Sequence, residues 1–207
     1  FNLQRVQDQT RSITPGIADG FPIDWTDGRI DGALSLNPQQ SLEVAAAPTL
    51  DLGKTVTMEA WVKVDRFDNT WMPLFYKGTG NNQQRTYSMW LNADGHVHLS
   101  TGDGGNQTID TAAGLIKEGE WHHVAGVIDR INGTLSIVID GEERASGSVR
   151  TTTSTSAPGA PLRIGDTPEA ENSYARLFAL VDEVRVWNVA RSTAEIAAGK
   201  DAALAGN

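Results

Sequence analysis

Residues 87–101, YSMWLNADGHVHLST, consist of two alternating runs that meet at the dipeptide Asp94-Gly95. Asp-Gly tolerates the positive φ of a tight turn, so the stretch predicts a β-hairpin. We pair Asn92 with His96, and this register makes both faces of the hairpin internally consistent. One face is then apolar and consists of Met89, Leu91, Val97 and Leu99. The other is mixed polar and aromatic and consists of Ser88, Trp90, Asn92, His96, His98 and Ser100.

Short runs of this kind recur along the chain, and clusters of Gly, Asn, Asp and Pro separate them. A second hairpin is predicted where residues 124–129 turn at Asn132-Gly133 into residues 135–139. Many short strands with regular turns are typical of an antiparallel sandwich or barrel. The last residues differ, because Ser192 and Glu195 have capping-box spacing and predict a short C-terminal helix. The full set of predicted strands lies near residues 32–36, 41–44, 55–64, 72–77, 85–92, 96–101, 107–112, 122–130, 134–140, 161–165 and 177–188.

Composition narrows the class of protein. The 207 residues carry a net charge of −9 and no basic cluster, which argues against a nucleic-acid partner. No apolar run approaches the roughly 20 residues of a membrane helix, so membrane insertion is not expected. The chain has no cysteine, which favours a bacterial extracellular or a cytosolic protein. We interpret residues 1–207 as one domain and the polar stretch 150–161 as a loop, because a strand pattern resumes directly after it.

Three ordered groups of segments resemble the laminin-G-like superfamily of concanavalin A-like jelly rolls, which includes the pentraxins. The resemblance implies an all-β, two-sheet antiparallel jelly-roll sandwich in a secreted or cell-surface protein, of the type found in bacterial surface proteins. Since this fold hosts lectins, adhesion modules, hydrolases and lyases, it implies less about function. The segments are 32–36 (GALSL) with 55–63 (TVTMEAWVK), 119–125 (GEWHHVA) with 135–141 (LSIVIDG), and 162–165 (LRIG) with 180–196.

The resemblance also places Glu59 and Arg185 near the middle of the sandwich. A buried carboxylate needs a partner, so we predict a structural ion pair between them. The adjacent His122 and His123 look like a metal pair. Neighbours on a strand point to opposite faces, however, and we do not expect both to bind one ion.

The carboxylates do not show a catalytic pattern. The enzymes that share this fold usually place carboxylates two or four residues apart on one strand, pointing into a groove, and retaining glycosidases need two carboxyl groups about 5 Å apart. The adjacent Asp182 and Glu183 should instead face opposite sides. We therefore predict a non-catalytic recognition module within a larger protein. A structural spacer without a ligand and a carbohydrate-active enzyme of the same fold remain as alternatives.

One structural calcium ion is the expected cofactor. Laminin-G-like modules that bind calcium use an aspartate near the N-terminus and another before a Glu-Val-Arg segment, which here implies Asp8 and Asp182. Pentraxins use an Asp-Asn pair where this chain has Arg85-Thr86. A pentraxin-type ligand site is therefore not expected.

Two aromatic groups are candidate ligand sites. An exposed ring flanked by amides and hydroxyls can stack on a sugar, and the face that carries Trp90, His98, Asn92 and His96 fits this description. Trp71 and Tyr76 form a second candidate at a loop rim. Alternatively, a loop covers Trp90 and the ring completes a small second core. The expected partner is a glycan or an extracellular protein.

Overall fold

The computed structural model describes residues 5–6, 16–19, 24–68, 70–102, 105–154, 157–169 and 174–203. Within these ranges, two antiparallel sheets pack face to face, and one short helix follows the last strand. Sheet A has the spatial order β1 (Arg5–Val6), β2 (Gly16–Asp19), β5 (Ser41–Val44), β14 (Leu162–Ile164), β7 (Trp71–Gly78), β8 (Arg85–Asn92), β9 (Val97–Gly102) and β10 (Asn106–Asp110). Sheet B has the order β13 (Glu142–Ser148), β12 (Thr134–Ile139), β11 (Trp121–Asp129), β6 (Thr55–Val64), β15 (Ala179–Trp187), β4 (Gly32–Leu36) and β3 (Asp24–Asp27).

The hairpin of β8 and β9 has the predicted register. Met89 pairs with Leu99, and the Asn92 N–H donates to His96 O over 3.0 Å. Gly95 adopts a φ of +80°, and a Cβ there would lie 2.4 Å from a backbone oxygen. The turn therefore requires glycine at this position for two reasons, the positive φ and the close approach of the backbone oxygen.

The second predicted hairpin is also present. Val124 pairs with Ile139, and Asp129 pairs with Thr134, in an unbroken register. The alternation of both hairpins reflects which residues face the space between the sheets, since Met89, Leu99, Val124 and Ile137 all belong to one core cluster there.

Four strands were not predicted: β1, β2, β3 and β13. The sequence of β13, EERASGS, has no apolar alternation, and the strand lies at the edge of sheet B. A polar edge strand buries little surface, so it leaves a weak hydrophobic signal. The other three are two to four residues long and lie toward the outer edges of the two sheets, so they too leave little periodic signal.

The predicted helix is α1 (Thr193–Gly199), and Ser192 and Glu195 form the expected capping box. Ile196 on this helix packs against Ala125, Val127 and Val138 on the outer face of sheet B. The same face binds the end of the chain through Trp61, whose Nε1 donates to Lys200 O over 2.7 Å. None of the helices in the described ranges has the length and apolar character that a membrane-spanning helix requires.

The predicted ion pair of Glu59 has a different main partner. Arg191 binds Glu59 Oε1 directly, and Trp187 Nε1 donates to the same oxygen over 2.6 Å. Arg185 Nη1 lies 3.9 Å away and donates to Gly199 O over 3.0 Å. The pairing with Arg185 is thus secondary, because the C-terminal segment brings Arg191 closer to the carboxylate.

Candidate ligand-binding site

A pocket of about 170 Å³ opens on the outer face of sheet A. Strands β7, β8, β9 and β10 form its floor and walls, together with the 3₁₀ turn before β8 and the segment before β15. Four aromatic rings, two amides and one guanidinium face it. They belong to Trp71, Asn82, Arg85, Trp90, His98, Asn106 and Tyr174.

Trp71 stands at one wall of the pocket and is partly exposed. Its ring meets the edges of His96 and His98 at centroid distances of 5.4 and 5.0 Å. Aspartates hold both imidazoles, with His96 Nδ1 2.6 Å from Asp94 Oδ1 and His98 Nδ1 2.7 Å from Asp110 Oδ1. The structure therefore brings Trp71 of one predicted group into contact with His96 and His98 of the other.

Trp90 forms the floor of the pocket. The expectation of an exposed Trp90 ring is wrong, since the residue is 1% exposed. Tyr174 packs against it at 5.0 Å, and the Arg85 guanidinium lies 4.6 Å from the ring centroid. A loop covers the ring, as the alternative interpretation expected, yet part of the indole still borders the pocket.

Tyr76 and Asn92 do not line the pocket. Tyr76 is fully buried, and its hydroxyl donates to Glu169 Oε1 over 2.7 Å, so the predicted place at a loop rim is wrong. Burial and the neighbouring Glu169 carboxylate raise the pKa of Tyr76, which stays a neutral donor. Asn92 is also buried and lies at the β8–β9 turn, where Asp94 N contacts its side-chain oxygen at 3.4 Å.

A buried ion pair between Arg85 and Glu169 supports the floor. Arg85 Nε and Nη2 donate to the two oxygens of Glu169 over 2.8 and 2.6 Å. Nη1 donates to Ser100 Oγ over 3.0 Å, and Nη2 also donates to the Tyr174 hydroxyl over 3.2 Å. Burial opposes the charge of Arg85, but the contacts with Glu169 outweigh it and raise the pKa of the guanidinium.

Two exposed amides, Asn82 and Asn106, lie at the rim. The 3₁₀ turn of Asn82 approaches β9 closely, and a Cβ at Gly102 would lie 2.2 Å from Gln83 O. Glycine at that position thus lets the turn contact the sheet. Amides both donate and accept hydrogen bonds, so the rim can bind hydroxyl groups.

Burial lowers the pKa of His98 although the Asp110 carboxylate works in the opposite direction. His98 is therefore neutral near pH 7. The pocket then combines aromatic rings with neutral hydrogen-bonding groups. None of its seven lining residues, all within the described ranges, carries a carboxylate.

Sequence reasoning missed Arg85, Glu169 and Tyr174. Strict alternation from Trp90 assigns Arg85 to the inner face, whereas its guanidinium contacts Ser100 and Tyr174 on the outer face. The strand begins at Arg85 directly after a 3₁₀ turn, which breaks the two-residue periodicity. A tyrosine and a glutamate in an irregular segment carry no local signal, and their contacts with Arg85 span 84 and 89 residues.

The calcium prediction concerns Asp8 and Asp182, and Asp8 lies outside the described residues. Asp182 is buried, and its oxygens accept 2.7 Å hydrogen bonds from the N–H groups of Ile30 and Glu183. Burial raises the pKa of this carboxyl group. Among the described residues, no group of three or more acidic or histidine side chains could hold a metal ion.

Comparisons with known proteins agree with this architecture. The family model described as the concanavalin A-like lectin/glucanases superfamily matches residues 36–197. A search of curated proteins gave no match.

Three solved structures illustrate the likeness in fold. Domain 4 of the extracellular arabinanase AbnA from Geobacillus stearothermophilus, in complex with arabinotriose, is 23% identical at a TM-score of 0.66; the match covers 89% of this chain and 87% of that one. The binding domain of Paraclostridial Mosquitocidal Protein 1 is 17% identical at a TM-score of 0.70; the match covers 94% of this chain but 50% of that one, so the chain spans half its length. The heptameric pentraxin from Limulus polyphemus is 19% identical at 0.53, with 70% and 69% covered.

Proposed function

Since the chain belongs to the concanavalin A-like lectin/glucanases superfamily, we propose that it is a non-catalytic, glycan-binding module of an extracellular protein. The observation that carries the proposal is the pocket on sheet A. A small number of polar groups converges there on a concave aromatic surface, which is the usual composition of a small-molecule site.

The chemistry of the pocket suits a sugar. A sugar ring has apolar C–H faces that pack on aromatic rings, and its hydroxyls both donate and accept hydrogen bonds. Trp71 offers the partly exposed ring, and the amides of Asn82 and Asn106 offer polar contacts at the rim. Each part of the ligand therefore has a matching group.

The size of the pocket limits how much of a glycan it holds. About 170 Å³ is below the roughly 300 Å³ at which sites for drug-sized ligands begin. We therefore propose that one sugar ring enters, at a chain end or a branch, while the rest of the glycan stays at the surface.

The carboxylates around the pocket support a binding role over a catalytic one. Glycosidases of this type need a general acid and a second carboxylate near the scissile bond. Glu169 lies behind the pocket wall, and Arg85 and Tyr76 occupy its oxygens. Asp110 at the margin is bonded to His98.

An extracellular setting is supported by the arabinanase domain, which shares most of its length with this chain and belongs to an extracellular enzyme. The complex of that domain with arabinotriose also supports a carbohydrate ligand. A related fold binds protein as well, since a botulinum neurotoxin binding domain was solved with rat synaptotagmin II. A protein ligand is the alternative that the experiment below must separate.

The test is a glycan array with the wild-type chain, followed by calorimetric titration of the strongest binders with the Trp71→Ala variant. We expect wild type to bind, and Trp71→Ala to lose at least about tenfold in affinity, or about 1.4 kcal/mol. The physical reason is the loss of the partly exposed ring that the sugar contacts.

Trp25→Ala is the matched control. Trp25 is 43% exposed on β3 of sheet B and does not line the pocket. This variant should bind as tightly as wild type. Equal binding by Trp71→Ala would place the glycan elsewhere, and a wild-type chain that binds no glycan would leave the protein-ligand and spacer alternatives.

A further inference from the structure

The pocket wall contains an arginine, which in most ligand sites would attract an anion. Guanidinium groups bind carboxylates and phosphates in a bidentate manner. Arg85, however, uses four of its five N–H donors within the protein, two of them on Glu169. Its side chain is 5% exposed, as is that of Glu169.

Glu169 is held as firmly as its partner. Oε1 accepts from the Tyr76 hydroxyl and from Arg85 Nε, while Oε2 accepts from Arg85 Nη2. Tyr76 is itself tied to the backbone, since Gly80 N–H donates to its hydroxyl over 3.1 Å. Displacing the carboxylate from Arg85 would therefore break several buried hydrogen bonds.

No other described lining residue adds a positive charge at neutral pH, and the nearby Arg150 guanidinium lies outside the lining, beside Gly105. His98 is neutral at this pH, as its lowered pKa requires. Its partner Asp110 is half-exposed and negative, and the rim amides are uncharged. Among the described residues, Glu169 therefore neutralises the lining arginine, and Asp110 adds a second negative charge at the margin of the pocket.

Resting on the proposed glycan-binding function, we infer that the pocket selects neutral sugars over acidic ones, and that Glu169 is the residue that sets this selectivity. A uronate or sialate carboxylate near Arg85 would meet Glu169 and Asp110 at short range. Like charges brought together in a partly desolvated site cost several kcal/mol, whereas a hydroxymethyl group at the same place meets no such penalty.

The experiment compares trisaccharides that end in glucose, galactose, mannose or arabinose, and C6 uronate counterparts of the three hexoses, by calorimetry at pH 7.5. For each hexose that binds, we expect the neutral member of the pair to bind at least about tenfold more tightly. Glu169→Gln removes the negative charge and keeps the shape, and we expect it to narrow this preference by about tenfold or more.

The double variant Arg85→Gln/Glu169→Gln is the matched control. It also removes the positive charge that Glu169 neutralises in wild type, so the preference for the neutral sugar should return. Thermal unfolding reports whether each variant is folded. If Glu169→Gln does not fold, the wild-type comparison of neutral and acidic sugars still decides whether the pocket selects neutral sugars.

Two failures are distinguishable. If an acidic sugar binds as well as its neutral counterpart, and Trp71→Ala weakens both, the charge selectivity is wrong while the proposed function stands. If no probe binds, the proposed function fails and the selectivity fails with it. If a probe binds but Trp71→Ala binds it as wild type does, the glycan lies outside this pocket, and the inferred selectivity of the pocket fails.

Discussion

The outer faces of the two sheets contain the same three residue types in contact, but only one of the two faces has an open pocket. On sheet A, Arg85 pairs with Glu169 and lies 4.6 Å from the ring centroid of Trp90. On sheet B, Arg191 pairs with Glu59 and lies 4.7 Å from the ring centroid of Trp187. Each face therefore combines a glutamate, an arginine and a tryptophan.

The faces differ in what covers them. The C-terminal segment with α1 covers the cluster on sheet B, and Glu59 is fully buried beneath it. The segment before β15 covers Trp90 on sheet A but leaves about 170 Å³ open beside Trp71. A buried arginine–glutamate pair with a tryptophan is thus not a binding site in itself. The open space next to it makes the difference.

The largest expected effect tests whether the sheet B cluster is structural. Glu59→Ala leaves Arg191 and the Trp187 N–H without their common acceptor, and breaking a buried pair in this way costs about 3–5 kcal/mol of unfolding free energy. Urea unfolding followed by tryptophan fluorescence measures the loss.

Glu43→Ala is the matched control for this prediction. Glu43 pairs with Arg163 over 2.8 Å at the surface, so its removal should cost below about 1 kcal/mol. If Glu59→Ala unfolds at the same urea concentration as Glu43→Ala, the sheet B cluster does not stabilise the fold.

The next effect is a pH dependence that arises on the covered face. Burial, with the nearby Arg185 and Lys200, lowers the pKa of His123 from 6.5 to about 4. The direction holds although Glu59 Oε2 lies 3.7 Å from His123 Nε2. In the folded protein, neutral His123 packs edge-on against Trp61.

Between pH 6.5 and 4, the unfolded chain therefore binds a proton on His123 that the folded chain does not. Stability falls as the pH falls through this window, by up to about 3 kcal/mol at pH 4. Urea unfolding at pH 7.5 and 4.5 should show this loss in wild type and a smaller loss in His123→Gln, which does not titrate. Parallel losses in the two proteins would assign the acid sensitivity to the carboxylates instead.

The smallest effect concerns a carboxylate on the same sheet. Asp182 on β15 is buried, and no ion pair with a described cation accompanies it. We propose that one structural calcium ion binds there, with Asp8 as a second ligand. Calcium at about ten times its Kd would then stabilise the fold by about 1.4 kcal/mol.

Such a gain raises the Tm of a chain of this length by roughly 3–6 °C. Thermal unfolding with calcium and with chelator should differ for wild type and coincide for Asp182→Ala. Identical melting of wild type under both conditions would remove the calcium hypothesis, and sheet B would then hold its buried carboxylates with protein groups alone.

Much of the fold was predictable because its signals are local. The alternation around Met89 and Leu99 reflects a strand whose apolar residues face the core between the sheets, and Asp94-Gly95 fixes the register of that hairpin. The capping box of Ser192 and Glu195 involves four consecutive residues. The edge strand β13 was missed because little of it is buried, so its sequence carries no such period.

The site was predictable only in part. The register correctly gathers Trp90, His96 and His98 on one face, and the structure adds Trp71 to it. Tyr174 decides whether Trp90 is exposed or covered, because its ring packs on Trp90. A parallel bridge holds Tyr174 next to Trp71, which lies about a hundred residues earlier in the chain. No sequence period records a contact of that range.

The local pattern of the sequence therefore determined an antiparallel sandwich or barrel, the register of its hairpins and the capped helix α1, since each follows from residues a few positions apart. The resemblance to a family narrowed this to the two-sheet sandwich. Only the tertiary structure decided which outer face is covered and which is open. It also decided that Glu59 pairs with Arg191 rather than mainly with Arg185, and that Glu169 neutralises the arginine of the pocket. The physical reason is that cover and ion pairing come from irregular segments distant in the chain, whose positions depend on the packing of the whole sandwich.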